Sequence, residues 1–197
     1  MGLLWVGLRS FLCWVFSMAY HFEYDWFSGH IPRFTRLLGE FKGTPATGLE
    51  IGTHEGRSCV WMMKNILTDA GSKLITVDAF EQSVLRSNIE ECGCLDRVDV
   101  RIGLSRDVLP TVARGSIDFA YIDGSHWSCD VLEDAVNVFR LVRVGGVIGF
   151  DDYLWDDPSF NQHGTPKPAI DAFLLCYSHK VTLLEKSSQV WIRKENE

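Results

Sequence analysis

The chain has 197 residues, of which 46% are apolar and 23% are charged, and its formal net charge at pH 7 is −7. This length suits one well-buried domain and is short for two, and the composition is that of a folded protein rather than a disordered one. The acidic balance, with no lysine- or arginine-rich run, argues against a protein that binds nucleic acid, which needs a basic surface.

An apolar extension, residues 1–20, begins the chain. Residues 3–19 are almost entirely apolar apart from Arg9 and Ser10, and this length is marginal for a membrane span. Three interpretations stay open: a helix on a membrane surface, a helix packed on the domain or on a second copy of the chain, and a true span, which Arg9 disfavours. No basic region precedes the apolar stretch, so a secretory signal is not indicated. The six cysteines lack paired spacing, which predicts reduced thiols in a cytoplasmic protein, with membrane association through residues 1–20 left open.

Residues 21–197 are predicted to form a single domain that starts with a lid-like segment, 21–46. Its stretch 22–32 is dense in aromatic side chains, and it either folds over a site or plugs the end of the sheet. From residue 47 onward, strand-like runs rich in β-branched residues alternate with segments of helical period. The predicted strands are 47–51, 73–77, 98–102, 117–122 and 147–150, and the predicted helices are 56–68, 83–91, 105–113 and 128–142.

This alternation predicts parallel β-α-β units with right-handed crossovers, and hence a Rossmann-like, doubly wound α/β fold. A loop at 156–168, long enough to form a substrate wall, leads to a predicted helix at 168–177. Two further strand-like runs, 180–184 and 189–193, are separated only by residues 185–188. A connection this short forms a hairpin and cannot hold a crossover helix. We therefore expect a mostly parallel sheet with an antiparallel C-terminal hairpin strand.

The first two strand ends carry residues suited to an adenosine-bearing ligand. Ligands of such sheets bind at the carboxyl ends of the strands, near the point where strand order reverses. After Glu50 at the end of the first strand, Gly52 permits a tight turn and Gly56 lets the backbone come close where the next helix starts. The amides of that helix start, with Ser58, can hold an anionic group. Asp78 follows the second strand and is placed to accept hydrogen bonds from ribose hydroxyls. The alternatives are that Glu50 only caps a turn and that Asp78 only ends its strand.

The fourth and fifth strand ends carry a group of acids. Asp123 follows the fourth strand, and Asp151 and Asp152 follow the fifth. Adjacent strands lie about 4.8 Å apart, so these carboxylates should converge, and unpaired they would repel one another. A hard cation such as Mg²⁺ removes this conflict, which makes the three acids the predicted metal ligands. His126 lies at the first turn of the next helix, where its imidazole could take a proton from a substrate hydroxyl. Alternatively, Asp123 or Ser125 caps that helix and His126 is solvated.

These motifs resemble those of class I S-adenosylmethionine-dependent methyltransferases, and more narrowly the metal-dependent O-methyltransferases that include the catechol, caffeoyl-CoA and macrolide-sugar enzymes. The resemblance runs from about residue 24 to the C-terminus. It implies that the turn from Glu50 to Gly56 holds the methionine part of S-adenosylmethionine and that Asp78 binds the ribose. The Asp-Gly-x-His pattern at 123–126 is similar to that of the sugar enzymes, where the histidine is the proposed base. Many relatives have Gly-Asp-Ser where this chain has residues 103–105, Gly-Leu-Ser, which is a departure at the adenine contact.

The resemblance implies methyl transfer from S-adenosylmethionine to a hydroxyl of a small molecule or sugar, with Mg²⁺ or another divalent cation. The implied catalytic residues are Asp123 and His126. The implied cofactor-binding residues are Glu50, Gly52, Thr53, Gly56, Arg57, Ser58, Asp78, Ala79, Gly103, Ser105 and Asp123. Three alternatives stay open: a nicotinamide-dependent oxidoreductase, which should carry a complete glycine pattern where this chain has His54; a non-catalytic adenosyl-cofactor-binding or membrane-associated module; and a divalent-metal hydrolase.

Overall fold

The computed structural model describes residues 20–157 and 164–197. One seven-stranded sheet, with the order β3-β2-β1-β4-β5-β7-β6, forms the centre of these residues. Strands β1 to β5 run parallel, whereas β7 pairs antiparallel with both β5 and β6. The strands are β1 (Thr47–Ile51), β2 (Lys73–Asp78), β3 (Val98–Ile102), β4 (Ile117–Ile122), β5 (Val142–Phe150), β6 (Val181–Lys186) and β7 (Val190–Lys194). The doubly wound, mostly parallel sheet with an antiparallel C-terminal hairpin is thus confirmed.

Helices cover the sheet through two apolar clusters. Alternate residues of β4 enter different clusters: Ala120 and Ile122 pack with α5 and α6, while Phe119 and Tyr121 pack with α1, α2 and α3. Because successive side chains of a strand point to opposite faces, the two clusters lie on opposite sides of the sheet. The α-helices are α1 (Ile31–Leu38), α2 (Arg57–Asn65), α3 (Leu85–Glu91), α4 (Ser105–Val108), α5 (Ser128–Leu141) and α6 (Pro166–Tyr177), and 3-10 turns occupy Ser28–His30, Gly39–Phe41 and Leu109–Thr111.

Several elements differ from their predicted bounds. The predicted helix 105–113 is instead the short helix α4 followed by a 3-10 turn, because Pro110 has no amide hydrogen to continue an α-helical ladder. Strand β5 starts at Val142, directly after α5, and not at 147. The two glycines at 145 and 146, which precede the predicted strand, lie inside the strand here, and a register shift separates the β4–β5 pairs on either side.

Helix α1 was not predicted, and its packing explains why it forms. Phe34 of this helix is fully buried, and its ring lies edge-on to Phe27, Tyr121 and Trp191 with centroid distances of 4.9, 4.8 and 5.0 Å. Aromatic pairs in this geometry add to the stabilisation from buried area. The helix therefore depends on rings from β4 and β7, which no local pattern in residues 21–46 shows.

No helix within residues 20–157 and 164–197 has the length and apolar character needed to cross a membrane. The apolar extension predicted at residues 1–20 lies, except for Tyr20, outside the described residues, as do residues 158–163 of the predicted substrate-wall loop.

Substitution of Gly149 with alanine tests the packing of the hairpin on the parallel strands. A Cβ at Gly149 would lie 2.7 Å from three ring atoms of Trp191, which is fully buried. We expect Gly149→Ala to lower the free energy of unfolding by about 1–3 kcal/mol, measured by urea denaturation. In the control Gly39→Ala the new Cβ has no described atom within 4 Å, so stability should change by less than about 0.5 kcal/mol. Equal stabilities of the two variants would contradict this packing.

Candidate active site

A cavity of about 940 Å³ opens at the carboxyl ends of the parallel strands. The strand order reverses between β1 and β4, and this is where open α/β sheets form their ligand crevice. The loops after β1 to β5, helix α5 and the N-terminal segment all contribute to its wall. The polar and small residues that line it are His30, Gly52, His54, Asp78, Ala79, Gln82, Gly103, Ser105, Arg106, Asp123, Gly124, Ser125, His126, Asp130, Glu133, Asp134, Asp151 and Asp152.

The turn after β1 lies directly against the end of β4. The amide of Asp123 donates to the Ile51 carbonyl at 2.8 Å, and the amide of Gly52 donates to the Val77 carbonyl at 2.8 Å. Gly52 has φ of +88°, and a Cβ there would lie 1.8 Å from the carbonyl oxygen of Asp123. Both the backbone conformation and the close approach require glycine.

Glu50, at the end of β1, is fully buried beneath this turn. The hydroxyls of Ser58 and Thr76 both donate to its carboxyl group, the latter at 2.8 Å. Burial raises the pKa of Glu50 to about 7, although these two hydrogen bonds act in the opposite direction. Its contacts tie β1 to β2 and to the start of α2. Glu50 therefore stabilises the turn from its buried side.

Asp78 joins the ends of β1 and β2. Its Oδ2 accepts the amides of Thr53 and His54 at 2.9 and 2.8 Å, and its Oδ1 accepts the amide of Phe80 at 3.0 Å. An ionised carboxylate has about four acceptor positions, so Asp78 keeps capacity for a ligand hydroxyl at the cavity wall. It thus holds the turn and faces the cavity at the same time.

The residues predicted to bind the cofactor fall into three groups. Those that line the large cavity are Gly52, Asp78, Ala79, Gly103, Ser105 and Asp123. A second cavity of about 50 Å³ is lined by Thr53, Arg57 and Ser58 and shares Gly52, His54 and Asp123 with the first. Glu50 and Gly56 line neither cavity, and Gly56 instead caps α2 with φ of 84°. The two cavities are therefore neighbouring parts of one site.

Asp123, Asp151 and Asp152 lie at adjacent strand ends, but they are not assembled around a common point. Burial, then the charges of Asp151, Asp152 and Glu50, raise the pKa of Asp123 well above its usual range. Within residues 20–157 and 164–197, no group of three or more histidine, cysteine or acidic side chains is arranged to hold a metal ion. The donor chemistry fits a hard cation, whereas the side-chain arrangement does not yet form its ligand shell. Metal binding by these acids stays a prediction.

His126 is held over the cavity and is not simply solvated. Its Nε2 lies 2.8 Å from Oδ2 of Asp152, and its ring stacks on Trp155 with a centroid distance of 4.5 Å. The hydrogen bond to Asp152 raises the pKa of His126, with partial burial opposing it. Helix α5 begins only at Ser128, with Trp127 as its N-cap residue and no side-chain cap. His126 therefore precedes the helix, whereas the sequence pattern predicted that it lies in the first helical turn.

Gln189 and Tyr121 were missed by the sequence analysis, and they hold Asp151. The Tyr121 hydroxyl donates to Oδ2 of Asp151, and Gln189 Nε2 lies 3.1 Å from Oδ1. The buried Gln189 side chain in turn accepts hydrogen bonds from Arg33 of α1 and from Trp191, each at 3.0 Å. Such outer partners fix the orientation of a functional carboxylate. No local pattern marks Gln189, because it reaches Asp151 only through the β5–β7 pairing.

The aromatic segment at residues 22–32 lies over the same site. Trp26 and His30 line the large cavity, and the Trp26 ring stacks on Tyr24 and contacts His54, with centroid distances of 4.9 and 5.1 Å. The Glu55 carboxylate anchors the segment by accepting the backbone amide of Glu23 at 2.8 Å. Trp26 and His30 therefore form part of the cavity wall at the carboxyl edge, and the lid and plug interpretations both stay predictions.

The comparisons with known proteins agree with this fold. A sequence model of the family described as "Methyltransferase domain" matches residues 49–153. This match spans more than half of the chain, so the chain belongs to this family of methyltransferase domains. The catechol O-methyltransferase of Mycobacterium tuberculosis is 32% identical over 107 residues, which cover 54% of this chain and 47% of that protein. The chain thus spans about half the length of this curated relative.

Solved structures show the same fold. The O-methyltransferase TomG of Streptomyces achromogenes, solved in complex with S-adenosylmethionine, aligns with a TM-score of 0.65 at 21% identity, covering 83% of this chain and 77% of that one. The methyltransferase MycE of the mycinamycin biosynthetic pathway, solved with Mg and S-adenosylhomocysteine, aligns with a TM-score of 0.65 at 17% identity, covering 88% of this chain and 50% of that one. The resemblance to class I methyltransferases is confirmed for family and fold.

Glu50→Gln tests whether this buried acid is neutral in the folded protein. The folded-state pKa of Glu50, about 7, lies above its ordinary value of 4.5, so folding takes up a proton between these pH values. Its contribution to stability is full below pH 4.5 and is lost as the pH rises through 7. We expect the stability of the wild type relative to Glu50→Gln to fall by roughly 3 kcal/mol from pH 4.5 to 7.5, measured by urea denaturation. A pH-independent difference would contradict the raised pKa.

Proposed function

We propose that this protein is an S-adenosylmethionine-dependent O-methyltransferase that acts on a hydroxyl group of a small molecule. The observation that carries the proposal is the His126–Asp152 pair, which stands on the wall of the same cavity as Asp78 and the glycine turn after β1. One cavity thus combines a positioned imidazole with a place for a nucleoside. The family match and the names of the relatives support this activity.

The charge and shape of the site suit S-adenosylmethionine, which supplies a methyl group already activated on a sulfonium. Seven acidic side chains line the large cavity, against one guanidinium, that of Arg106. This excess of acidic over basic groups favours a cationic ligand. Asp78 has acceptor capacity left for ribose hydroxyls, and the small cavity is lined by Arg57, whose guanidinium group suits a carboxylate.

The chain's own residues would align the acceptor and take its proton. The acceptor oxygen forms a bond to the methyl carbon as the carbon–sulfur bond breaks, and the hydroxyl proton must leave. Asp152 accepts the Nε2–H of His126, which leaves the lone pair on Nδ1 to take that proton. The Asp152 carboxylate then stabilises the imidazolium, and Trp155 holds the ring in place by stacking.

We further propose that a divalent cation such as Mg²⁺ is used, with Asp123, Asp151 and Asp152 as ligands. When bound, such an ion lowers the pKa of an acceptor hydroxyl. The three acids follow the adjacent strands β4 and β5 and supply the oxygen donors that such a cation prefers, which supports a cation at this edge. Asp152 can serve both roles, because its Oδ1 can bind the ion while its Oδ2 accepts the hydrogen bond from His126. An acceptor with two adjacent hydroxyls, as in a catechol or a sugar, would suit this site.

Titration calorimetry with S-adenosylhomocysteine tests the proposed function. We expect saturable one-to-one binding, and methyl transfer from S-adenosylmethionine to a vicinal diol such as catechol or methyl glucoside that EDTA abolishes and Mg²⁺ restores. Asp151→Asn should lose the metal-dependent step, whereas Asp96→Asn, which removes an exposed acid, should not. Absence of S-adenosylhomocysteine binding would overturn the activity, and full turnover in EDTA would overturn only the metal requirement.

Removal of the His126 imidazole tests its place in the reaction. We expect His126→Ala to bind S-adenosylhomocysteine within about twofold of the wild type but to lose about a hundredfold or more in turnover, the usual loss for a general base. His179→Ala is the matched control, because His179 is exposed and lies outside the cavity. Unchanged turnover in His126→Ala would remove His126 from the mechanism.

A further inference from the structure

Asp134 of α5 is a buried acid that the proposed reaction does not use. Its residue surface is 2% exposed, it lines the large cavity, and its Oδ1 has no hydrogen-bond partner among the described residues. Burial raises its pKa to about 6, and the Ser105 hydroxyl partly offsets this. An unpaired buried acceptor costs about 1–3 kcal/mol, so a ligand donor is the natural partner for this oxygen.

Asp134 stands at the end of the cavity beyond the proposed ribose site. Strand β2, which ends in Asp78, lies between β1 and β3, and Gly103 to Ser105 follow β3. Helix α4, which starts at Ser105, contacts both β2 and α5, and this places Asp134 across from Ser105. A nucleoside whose ribose lies on Asp78 would therefore extend its base between Ser105 and Asp134.

Two apolar side chains line this end of the cavity. Phe80 is 76% exposed and Leu104 is 45% exposed, and both belong to the cavity wall. Phe80 follows Asp78 by two residues, and Leu104 precedes Ser105. A planar base would cover these surfaces and remove them from water. The cavity end therefore has apolar faces for a ring and one acceptor at its edge.

We propose that Asp134 recognises the adenine base of the cofactor, with its Oδ1 accepting a hydrogen bond from the exocyclic amino group. In this chain helix α5 then supplies the acid that contacts adenine, whereas many relatives have an acid at the position of Leu104. This inference rests on the proposed use of S-adenosylmethionine. It goes further by assigning the residue that reads the base.

The two neighbouring acids of α5 are less suited to this role. Oδ2 of Asp130 already accepts the Ser125 hydroxyl at 2.7 Å, and its Oδ1 lies 3.6 Å from the Cys129 sulfur. Glu133 is exposed, so its carboxylate is already hydrated. Asp134 alone among these three is buried with an unpaired oxygen.

Hypoxanthine differs from adenine at the position that Asp134 would recognise. It carries a carbonyl oxygen in place of the adenine amino group, and this oxygen and the Asp134 carboxylate would both be acceptors, with no hydrogen between them.

Calorimetric titration with S-adenosylhomocysteine and S-inosylhomocysteine tests the assignment. We expect the wild type to bind the adenosyl compound at least tenfold more tightly than the inosyl compound. Asp134→Asn should weaken S-adenosylhomocysteine binding by tenfold or more and bring the ratio of the two affinities to within about threefold, because an amide can either accept or donate. The control Arg140→Gln removes an exposed charge from the same helix outside the cavity and should keep the wild-type ratio.

Three results would overturn the assignment. Equal binding of the two nucleosides by the wild type, which needs no variant, excludes recognition of the amino group. A wild-type ratio in Asp134→Asn excludes Asp134 as its partner, while S-adenosylhomocysteine binding by the wild type leaves the proposed function intact. Failure of the wild type to bind S-adenosylhomocysteine removes both. The asparagine side chain matches the aspartate in size and avoids a buried charge, so the thermal midpoint of Asp134→Asn should equal or exceed that of the wild type.

Discussion

The close contact between the turn after β1 and the end of β4 is the constraint on which the site depends. A Cβ at Gly52 would lie 1.8 Å from the carbonyl oxygen of Asp123, so the two strand ends can meet only because residue 52 is glycine. That contact sets the base of the cavity at the point where strand order reverses. Asp78 accepts two backbone amides of the same turn, and the buried Glu50 links β1 to β2 and to the start of α2 beneath it.

Burial of acidic groups around this contact has an energetic cost that the fold alone does not explain. Desolvation raises the pKa values of Glu50, Asp123 and Asp134. Glu50 recovers part of this cost through hydroxyl donors, and its role is to hold β1, β2 and α2 together. Asp123 and Asp134 face the cavity, where such perturbed groups are typical of ligand and reaction sites. The desolvation cost of Asp123 and Asp134 therefore arises at the cavity, where a bound ligand can offset it.

Most of the parallel sheet could be predicted because its signals are local. Runs of β-branched residues, turn glycines and acids at strand ends lie next to one another in the sequence, and they located Gly52, Asp78, Asp123 and His126 on one cavity. The role of Gln189 could not be predicted, because its partners Tyr121 and Asp151 lie 68 and 38 residues away. Helix α1 was missed although its buried residues Phe34 and Leu38 have helical spacing. Asp134 was also missed, since a helical period shows only that it lies on the inner face and says nothing of the missing partner at Oδ1.

The Gln189 contact gives the C-terminal hairpin a role beyond covering the edge of the parallel sheet. Val190 pairs with Phe150, and this register brings the preceding Gln189 beside Asp151. Side chains alternate between the two faces of a strand, so a slip of one residue would point Gln189 away and bring Ser188 or Val190 into its place. The register between the antiparallel strands β5 and β7 thus determines how the carboxylate of Asp151, at the end of β5, is oriented. A shift in hairpin register would accordingly change the surroundings of the Asp151 carboxylate as well as the packing of the sheet.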